Sequence, residues 1–556
     1  VRREQDPVLL AALVAGLLAL VISVVGWPLH TYGADPVVVR EEARAILLHG
    51  QLAVETPTAP FNKPGEYYVQ NPRNGGWYSK YGVFGSVASL PPLLAERVFT
   101  GELPPRDSET RTAFLNYWNT VLTVCVVVGL VRVASLYTRR VGVMVGFALG
   151  SVFATFLWNY ARAQSSEIVQ VLLGVVMFDQ GVRWLRLRAR GSNHTGRMPV
   201  LRVGWRLGVV WGCAWALVLT RVYFLTLLPA VVLLQVWGAG WQRRLLLGVL
   251  PVVGILVVLG VIDTVKFGGP TLTGYHAFEV GRHRLTWDPR QGLWGFLVSA
   301  EKGVWWHYPL FGFALLGWWR FSREHRAEAV VLAVGAAMYF VPLCTVPSWA
   351  GNWGYGPRYL VFGLPLVSVP VLFLGRSCEL GVAGCAGGGG EPSPGGVPPT
   401  SPSGGGGRAR RGGGGGLWWW VGAVVMGVVL AGSAWLNFQV NRLEFFAAER
   451  VRVPLEAGEV AVDAAGWPDD FAPYTGRWYF DHRPWGLVIW DIFRCEGRAE
   501  RHPLWPTVEG LDEDRREAFR RGVWEIYRQT NWYWETRGRR FDDNARKLPE
   551  DWKGRR

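Results

Sequence analysis

The sequence predicts an all-α polytopic membrane protein, and three features predict it. Half of the 556 residues are hydrophobic, and they gather into about eleven apolar runs, too many and too long for soluble cores. Lys and Arg leave a formal net charge of +15 and stand in short clusters between those runs, where cytoplasmic loops fix topology. The alternate connections are polar, broken by Pro and Gly, and rich in aromatic rings. Because the basic excess lies upstream of Asn437 and between apolar runs, it is not a nucleic-acid footprint. The six cysteines have no paired spacing, so they make neither a disulfide framework nor a zinc site.

Taken in order, the first run is Val8–Pro28. It follows Arg2 and Arg3 and has no convincing small-x-small cleavage site, so it reads as a retained signal anchor with a cytoplasmic N-terminus. Leu29–Tyr81 is then the first external loop, with a short helix from Val37 to His49 that stops at Gly50. Further spans are expected at Ala113–Val131, Val141–Trp158, Ile168–Val182, Val203–Leu219, Val222–Gly238, Leu245–Ile262, Leu293–Trp318, Ala329–Val346, Tyr359–Leu374 and Leu417–Leu436. Gly82–Phe99 is also apolar, and parity decides its status. As a full crossing it would put Arg132, Arg139 and Arg140, the arginines from Arg183 to Arg206, Arg243-Arg244 and the Arg320–Arg326 cluster outside; as an interfacial or re-entrant helix it puts all of them inside. Pro91-Pro92 favours the second reading, because the pair disrupts backbone hydrogen bonding. About eleven transmembrane helices plus that interfacial or re-entrant helix follow, with the C-terminus external.

Residues 1–380 thus form the transmembrane module, with its first external loop at 29–81. Residues 381–416, mostly Gly, Ser and Pro, are expected as a disordered cytoplasmic linker, and 417–436 as the last span. Residues 437–556 are expected as a small external α+β domain, with strand-like Val451–Leu455, Ala461–Asp463, Trp478–Asp481 and Leu487–Trp490 and a helix from Asp512 to Thr530.

Candidate functional residues concentrate on the external side. Asp35 stands just beyond the first span, where a carboxylate can deprotonate an acceptor hydroxyl or help coordinate a divalent cation. Asp35 followed by Pro36 is also a good helix start that needs no catalysis. Glu41 and Glu42, in the next turn, are expected to face solvent. In Tyr160–Glu167, Arg162 can hold a phosphate and Glu167 can serve as a second acid or metal ligand; equally, Glu167 suits the N-terminus of the following helix. Lys302 and His307, beside an interfacial Trp305-Trp306 pair, can approach an anionic head group. Gly354, Gly356 and Pro357 deliver Arg358 to the mouth of the next run, where it can bind a lipid phosphate, anchor the membrane boundary or pair with a carboxylate.

An acidic residue after the first span, a short helix, the Tyr78-Ser79-Lys80-Tyr81-Gly82 segment, Lys302-Gly303 with Tyr308-Pro309, and Trp353–Tyr359 together resemble the GT-C superfamily of polytopic glycosyltransferases. Bacterial relatives of the protein O-mannosyltransferases and the aminoarabinose lipid A transferases are the nearest in pattern, and the resemblance runs roughly from Val8 to Val371. It implies a GT-C fold and an inverting transfer on the external face from a polyprenyl-phosphate-linked sugar. It further implies Asp35 as the first-loop catalytic acid, Glu167 at a second acidic position, and Arg162, Lys80, Tyr81, Lys302, His307, Tyr308 and Arg358 around the substrate. Asp35-Pro36 stands where the family has a paired acidic motif, so a divalent metal cation held by Asp35 and Glu167 enters only as an implication.

The expected function is therefore a glycosyltransferase of the cytoplasmic (inner) membrane that passes a sugar to an external glycan, lipid or protein. A transporter or flippase of a lipid-linked saccharide would use the same cations without bond chemistry, but it would favour ionisable residues lining central spans rather than span ends. A structural protein whose external domain binds envelope partners is a third possibility.

Overall fold

The computed structural model describes residues 2–25, 34–55, 57, 67–103, 113–162, 166–191, 200–236, 241–274, 289–299, 302–345, 357–374, 415–441 and parts of 491–524. Among these, five helices are long and apolar enough to cross a membrane, and five shorter apolar helices accompany them. The glycine-rich linker lies outside the described residues as far as residue 414, as do the four strand-like segments of the C-terminal region.

Helix α1 (Arg2–Val25) shows how the bundle is built. Ala11, Ala15 and Ala19 are fully buried, whereas Leu9, Leu13 and Leu17 are exposed. Small residues every fourth position let α1 lie close to α5 (Ala113–Ala134), and the leucines present hydrocarbon to the surroundings. α2 (Ala34–His49) stops at Gly50, whose φ of 66° is the left-handed turn that ends a helix. It is followed by a hairpin of β1 (Tyr68–Gln70) and β2 (Trp77–Ser79), antiparallel with Val69 opposite Tyr78. The expectations did not include this hairpin, although aromatic and β-branched residues flanking Asn74-Gly75 are its usual signal.

The apolar stretch at Gly82–Phe99 forms two short helices, α3 (Val83–Ala88) and α4 (Leu90–Thr100). At 1.5 Å per residue neither reaches across about 30 Å of hydrocarbon. α4 buries Leu93 and Glu96 against its neighbours and exposes Leu94, Val98 and Phe99.

Next come α5, α6 (Val141–Phe153), α7 (Leu157–Arg162), α8 (Ser166–Gly191) and α9 (Val200–Thr220). A 3-10 turn (Val222–Leu227), α10 (Leu228–Val236) and α11 (Trp241–Phe267) follow. The expected single span Leu293–Trp318 is instead three helices: α12 (Arg290–Leu297), α13 (Val304–His307) and α14 (Leu310–Glu324). Gly303 and Pro309 interrupt the run, the first directly after the polar Glu301-Lys302 pair that the single-span reading encloses. α15 (Arg326–Cys344) is continuous, whereas Tyr359–Leu374 is built from a 3-10 turn (Arg358–Leu360), α16 (Leu364–Val367) and a second 3-10 turn (Val369–Phe373). α17 (Gly415–Asn441) packs on α6 and α7, where the Ser433 hydroxyl donates to the Ala154 carbonyl at 2.6 Å.

α8 sets the scale of the molecule, with an ionic cluster at each end. Just past its midpoint Asp179 holds Arg183 at 2.8 Å and Arg132 of α5 at 3.4 Å, leading to the C-terminal cluster. Arg186 holds Glu328 of α15 at 2.8 Å, and Tyr137 donates to the same carboxylate. Burial and the adjacent Glu328 carboxylate push the Tyr137 phenol well above its ordinary value. Glu167, in the first turn, lies about 28 Å from Arg186 along the axis. That rise nearly matches the hydrocarbon thickness, so one end gathers the arginine-rich connections and the other gathers Glu167, α2 and the hairpin.

Candidate functional site

At the Glu167 end three groups of side chains converge. The first is centred on Glu42, which is fully buried, as is Lys266. Lys266 Nζ lies 2.6 Å from Glu42 Oε1 and donates to the Tyr81 carbonyl at 2.7 Å. Ser86 of α3 donates to Glu42 Oε2 at 2.6 Å. Glu41 is 2% exposed, so the expectation that Glu41 and Glu42 face solvent is corrected. α2 is covered by α3, α4 and the hairpin, and its polar positions need partners inside that layer. Burial lowers the guanidinium of neighbouring Arg40 from its ordinary value.

The second group is centred on Glu167, 3% exposed at the start of α8. Arg358 Nε donates to Glu167 Oε1 at 2.6 Å, and Arg221 Nη2 reaches the same oxygen at 3.2 Å. Arg221 follows the last residue of α9 and Arg358 opens a 3-10 turn. Three distant segments therefore bring their ionic groups to one point. Beneath them Phe224 stacks on Tyr339 with centroids 5.4 Å apart, and Phe362 meets both edge-on. Each such pair contributes about 0.5–1.5 kcal/mol beyond the area it buries.

The third group joins the other two. The Tyr81 ring lies 5.7 Å from the Arg221 guanidinium and 5.4 Å from Lys80 Nζ, which also stands 4.9 Å from the Tyr67 ring. The Lys80–Gly82 strap is fixed by close backbone approach on both sides. A Cβ on Gly82 would fall 2.1 Å from the Leu219 carbonyl at the end of α9, and one on Gly274 would fall 2.4 Å from the Lys80 carbonyl. Only glycine fits either position without backbone movement.

Among the sequence candidates, Glu167, Arg358, Lys80 and Tyr81 are thus brought together. Asp35 lies in the first turn of α2 and Arg162 ends α7, but both side chains lie outside the described residues. Lys302, His307 and Tyr308 are buried, and His307 and Tyr308 lie against Phe156, with centroids 6.3 and 6.4 Å away. His307 and Tyr308 thus pack on the turn between α6 and α7, where the Phe156 N–H donates to the His307 carbonyl at 3.1 Å. Arg221, Lys266 and Glu42 are the members that sequence reasoning missed. Arg221 and Lys266 do carry a signal, since each is an ionisable residue at the end of an apolar run that emerges on the Glu167 side.

Basic side chains gather here: among the described residues Arg221 and Arg358 share Glu167, Lys266 meets Glu42, and Lys80 lies against the aromatic rings. Such a surface at the ends of apolar helices stabilises an anion whose remainder is greasy. A divalent cation fits poorly at Glu167, because its neighbours are two guanidiniums. Among the described residues no three His, Cys, Asp or Glu side chains converge in a metal-binding group.

No protein-family model and no characterised protein sequence matches the chain. Among solved structures it is similar to the archaeal oligosaccharyltransferase AglB from Archaeoglobus fulgidus in complex with an inhibitory peptide and a dolichol-phosphate. That match has 12% identity and a TM-score of 0.48, covering 85% of this chain and 60% of that one. It is also similar to ArnT from Cupriavidus metallidurans bound to undecaprenyl phosphate, at 15% identity and a TM-score of 0.45, covering 95% of this chain and 78% of that one. The chain thus spans about three fifths of the length of the archaeal protein. At TM-scores below 0.5, these overlays assign no residue, donor or acceptor to this chain.

Proposed function

We propose that the protein is a GT-C glycosyltransferase that moves a sugar from a polyprenyl-phosphate-linked donor to a glycan, lipid or protein acceptor on the external face of the membrane. The observation that carries the reading is the convergence of Arg221, Arg358 and Lys80 at one end of an apolar helical bundle. A lipid phosphate keeps its tail in hydrocarbon and brings its charge to that level. As the bond from the anomeric carbon to the phosphate oxygen breaks, negative charge accumulates on the departing phosphate, and fixed cations stabilise it most in the transition state. Glu167 holds the two guanidiniums in place. Asp35 takes the acceptor hydroxyl proton as the acceptor oxygen attacks the anomeric carbon. No step is routed through a metal ion.

The arginine-rich connections at the opposite end favour a cytoplasmic placement there, with the N-terminus inside and about eleven crossings in the cytoplasmic (inner) membrane. The 437–556 segment then stands on the external side. A transporter or flippase of a lipid-linked saccharide is the second reading, since the same cations would bind its cargo.

The test uses the full chain in nanodiscs doped with undecaprenyl phosphate, with bound lipid read by native mass spectrometry. Arg221→Met with Arg358→Met is expected to weaken retention by about 10- to 100-fold, the loss of charge-assisted hydrogen bonds to phosphate. Retention equal to wild type would overturn the assignment of the cations. Turnover of a polyprenyl-phosphate-linked sugar, lost in Asp35→Asn, separates transfer from transport. Movement of the intact lipid-linked sugar without bond cleavage would favour the second reading.

A further inference from the structure

We propose that the buried Glu42–Lys266 pair is a positioning device for the reaction, fixing α2 and its first-turn Asp35 against the Tyr81 strap; this rests on the transfer reading above. Stability alone is a weak reason for such a pair. Desolvating both ions offsets most of their attraction, and apolar replacements of similar volume often fold as well. What the pair supplies is geometry. Lys266, in the last turn of α11, touches the Glu42 carboxylate and the Tyr81 carbonyl, and the second carboxylate oxygen accepts from Ser86. Elements far apart in sequence are thereby referenced to one ammonium group.

The helical register carries the consequence to Asp35. Asp35 precedes Glu42 by seven residues in α2, so the two positions share a face, about 10 Å apart along the axis. A small rotation of α2 about its own axis at Glu42 therefore moves the Asp35 position as well. Glu167, Arg358 and Arg221 sit on other elements, at the start of α8, in the Arg358 turn and just beyond the end of α9, while Lys80 shares the strap with Tyr81. Loss of the pair should then disturb the proton-accepting side more than donor binding.

The test compares Glu42→Gln, Lys266→Met and the neutral double variant in nanodiscs, measuring melting temperature, donor KM, kcat and hydrogen exchange of α2 amides. Each single variant leaves a buried charge without its counter-ion and is expected to melt lower, while the double variant recovers melting. The double variant is nonetheless expected to lose about 100-fold in kcat, the cost of a misplacement of about 1 Å. Its donor KM should stay within about twofold, and α2 should exchange faster while α8 does not. Recovered melting together with wild-type kcat and wild-type α2 exchange would overturn the proposal. Should the double variant not fold, Glu42→Asp decides, because it keeps the charge and shortens its reach by one methylene: kcat falls if the pair positions α2, and unchanged kcat overturns the idea. If the wild-type protein transfers no sugar, the transfer reading fails separately. The exchange comparison still shows whether the pair fixes α2, and unchanged exchange then overturns the proposal.

Discussion

Gly82→Ala tests the wedge that holds the candidate site together. The added Cβ would lie 2.1 Å from the Leu219 carbonyl oxygen, 2.6 Å from that of Thr220 and 2.8 Å from the Leu219 carbonyl carbon. Ordinary contact begins near 3.4 Å, and all three atoms are backbone, so no side chain can swing aside. The strap must retreat from α9 by roughly 1 Å, or the end of α9 must deform; overpacking of this kind costs about 1–3 kcal/mol. The retreat would also stretch the 2.7 Å bond from Lys266 to the Tyr81 carbonyl and the 5.7 Å approach of Arg221 to the Tyr81 ring. A shift of that size costs about 100-fold in rate. Thermal unfolding and sugar transfer in nanodiscs measure the two effects. Gly208→Ala is the control, because its Cβ would meet nothing within 4 Å in the same helix, and Ala there is expected to be neutral or mildly stabilising. A Gly82→Ala protein with wild-type melting and turnover would refute the idea that the strap is seated against α9.

Lys80→Met is expected to raise donor KM by about 10-fold with a smaller change in kcat, since a cation beside the proposed donor phosphate would act before and during the reaction; the melting temperature should move little, because a half-buried cation–π contact contributes only about 0.5–2 kcal/mol. Unchanged donor KM would remove Lys80 from the site. Glu328→Gln at the opposite end is expected to destabilise by up to about 3 kcal/mol, at the low end because the Arg186 side chain is 30% exposed. Lipid binding should be untouched at that distance from Glu167, and altered retention of undecaprenyl phosphate would show that the two ionic clusters are coupled.

Which parts of the molecule were legible in the sequence follows from the range of the interactions involved. α2 could be read because helix start and stop are local: Gly50 ends it by adopting a positive φ that other residues resist. The shortness of the Gly82–Phe99 helices was legible from Pro91-Pro92 and from the arginine clusters. The ends of α8 were not, because it runs on past Val182 to Gly191, and charges that make this stretch look like a loop are met by Asp179 within the helix and by Glu328 from another helix. The same limit explains the misreading of Glu42. A carboxylate in an amphipathic helix reads as solvated until the lysine that meets it is known, and that lysine is 224 positions away.

By itself, then, the sequence determined the class of protein, the approximate places of its helices, and the presence of acid and base at one boundary of the apolar runs, because hydropathy and local backbone chemistry act over a few residues. Only the tertiary structure decided which charges meet. Glu167 takes Arg221 and Arg358, and Glu42 takes Lys266, while glycines at 82 and 274 let the strap between them lie against the end of α9 and the backbone beyond α11. Pairings between groups 54 to 224 residues apart depend on how whole elements pack and leave no periodic trace in the chain.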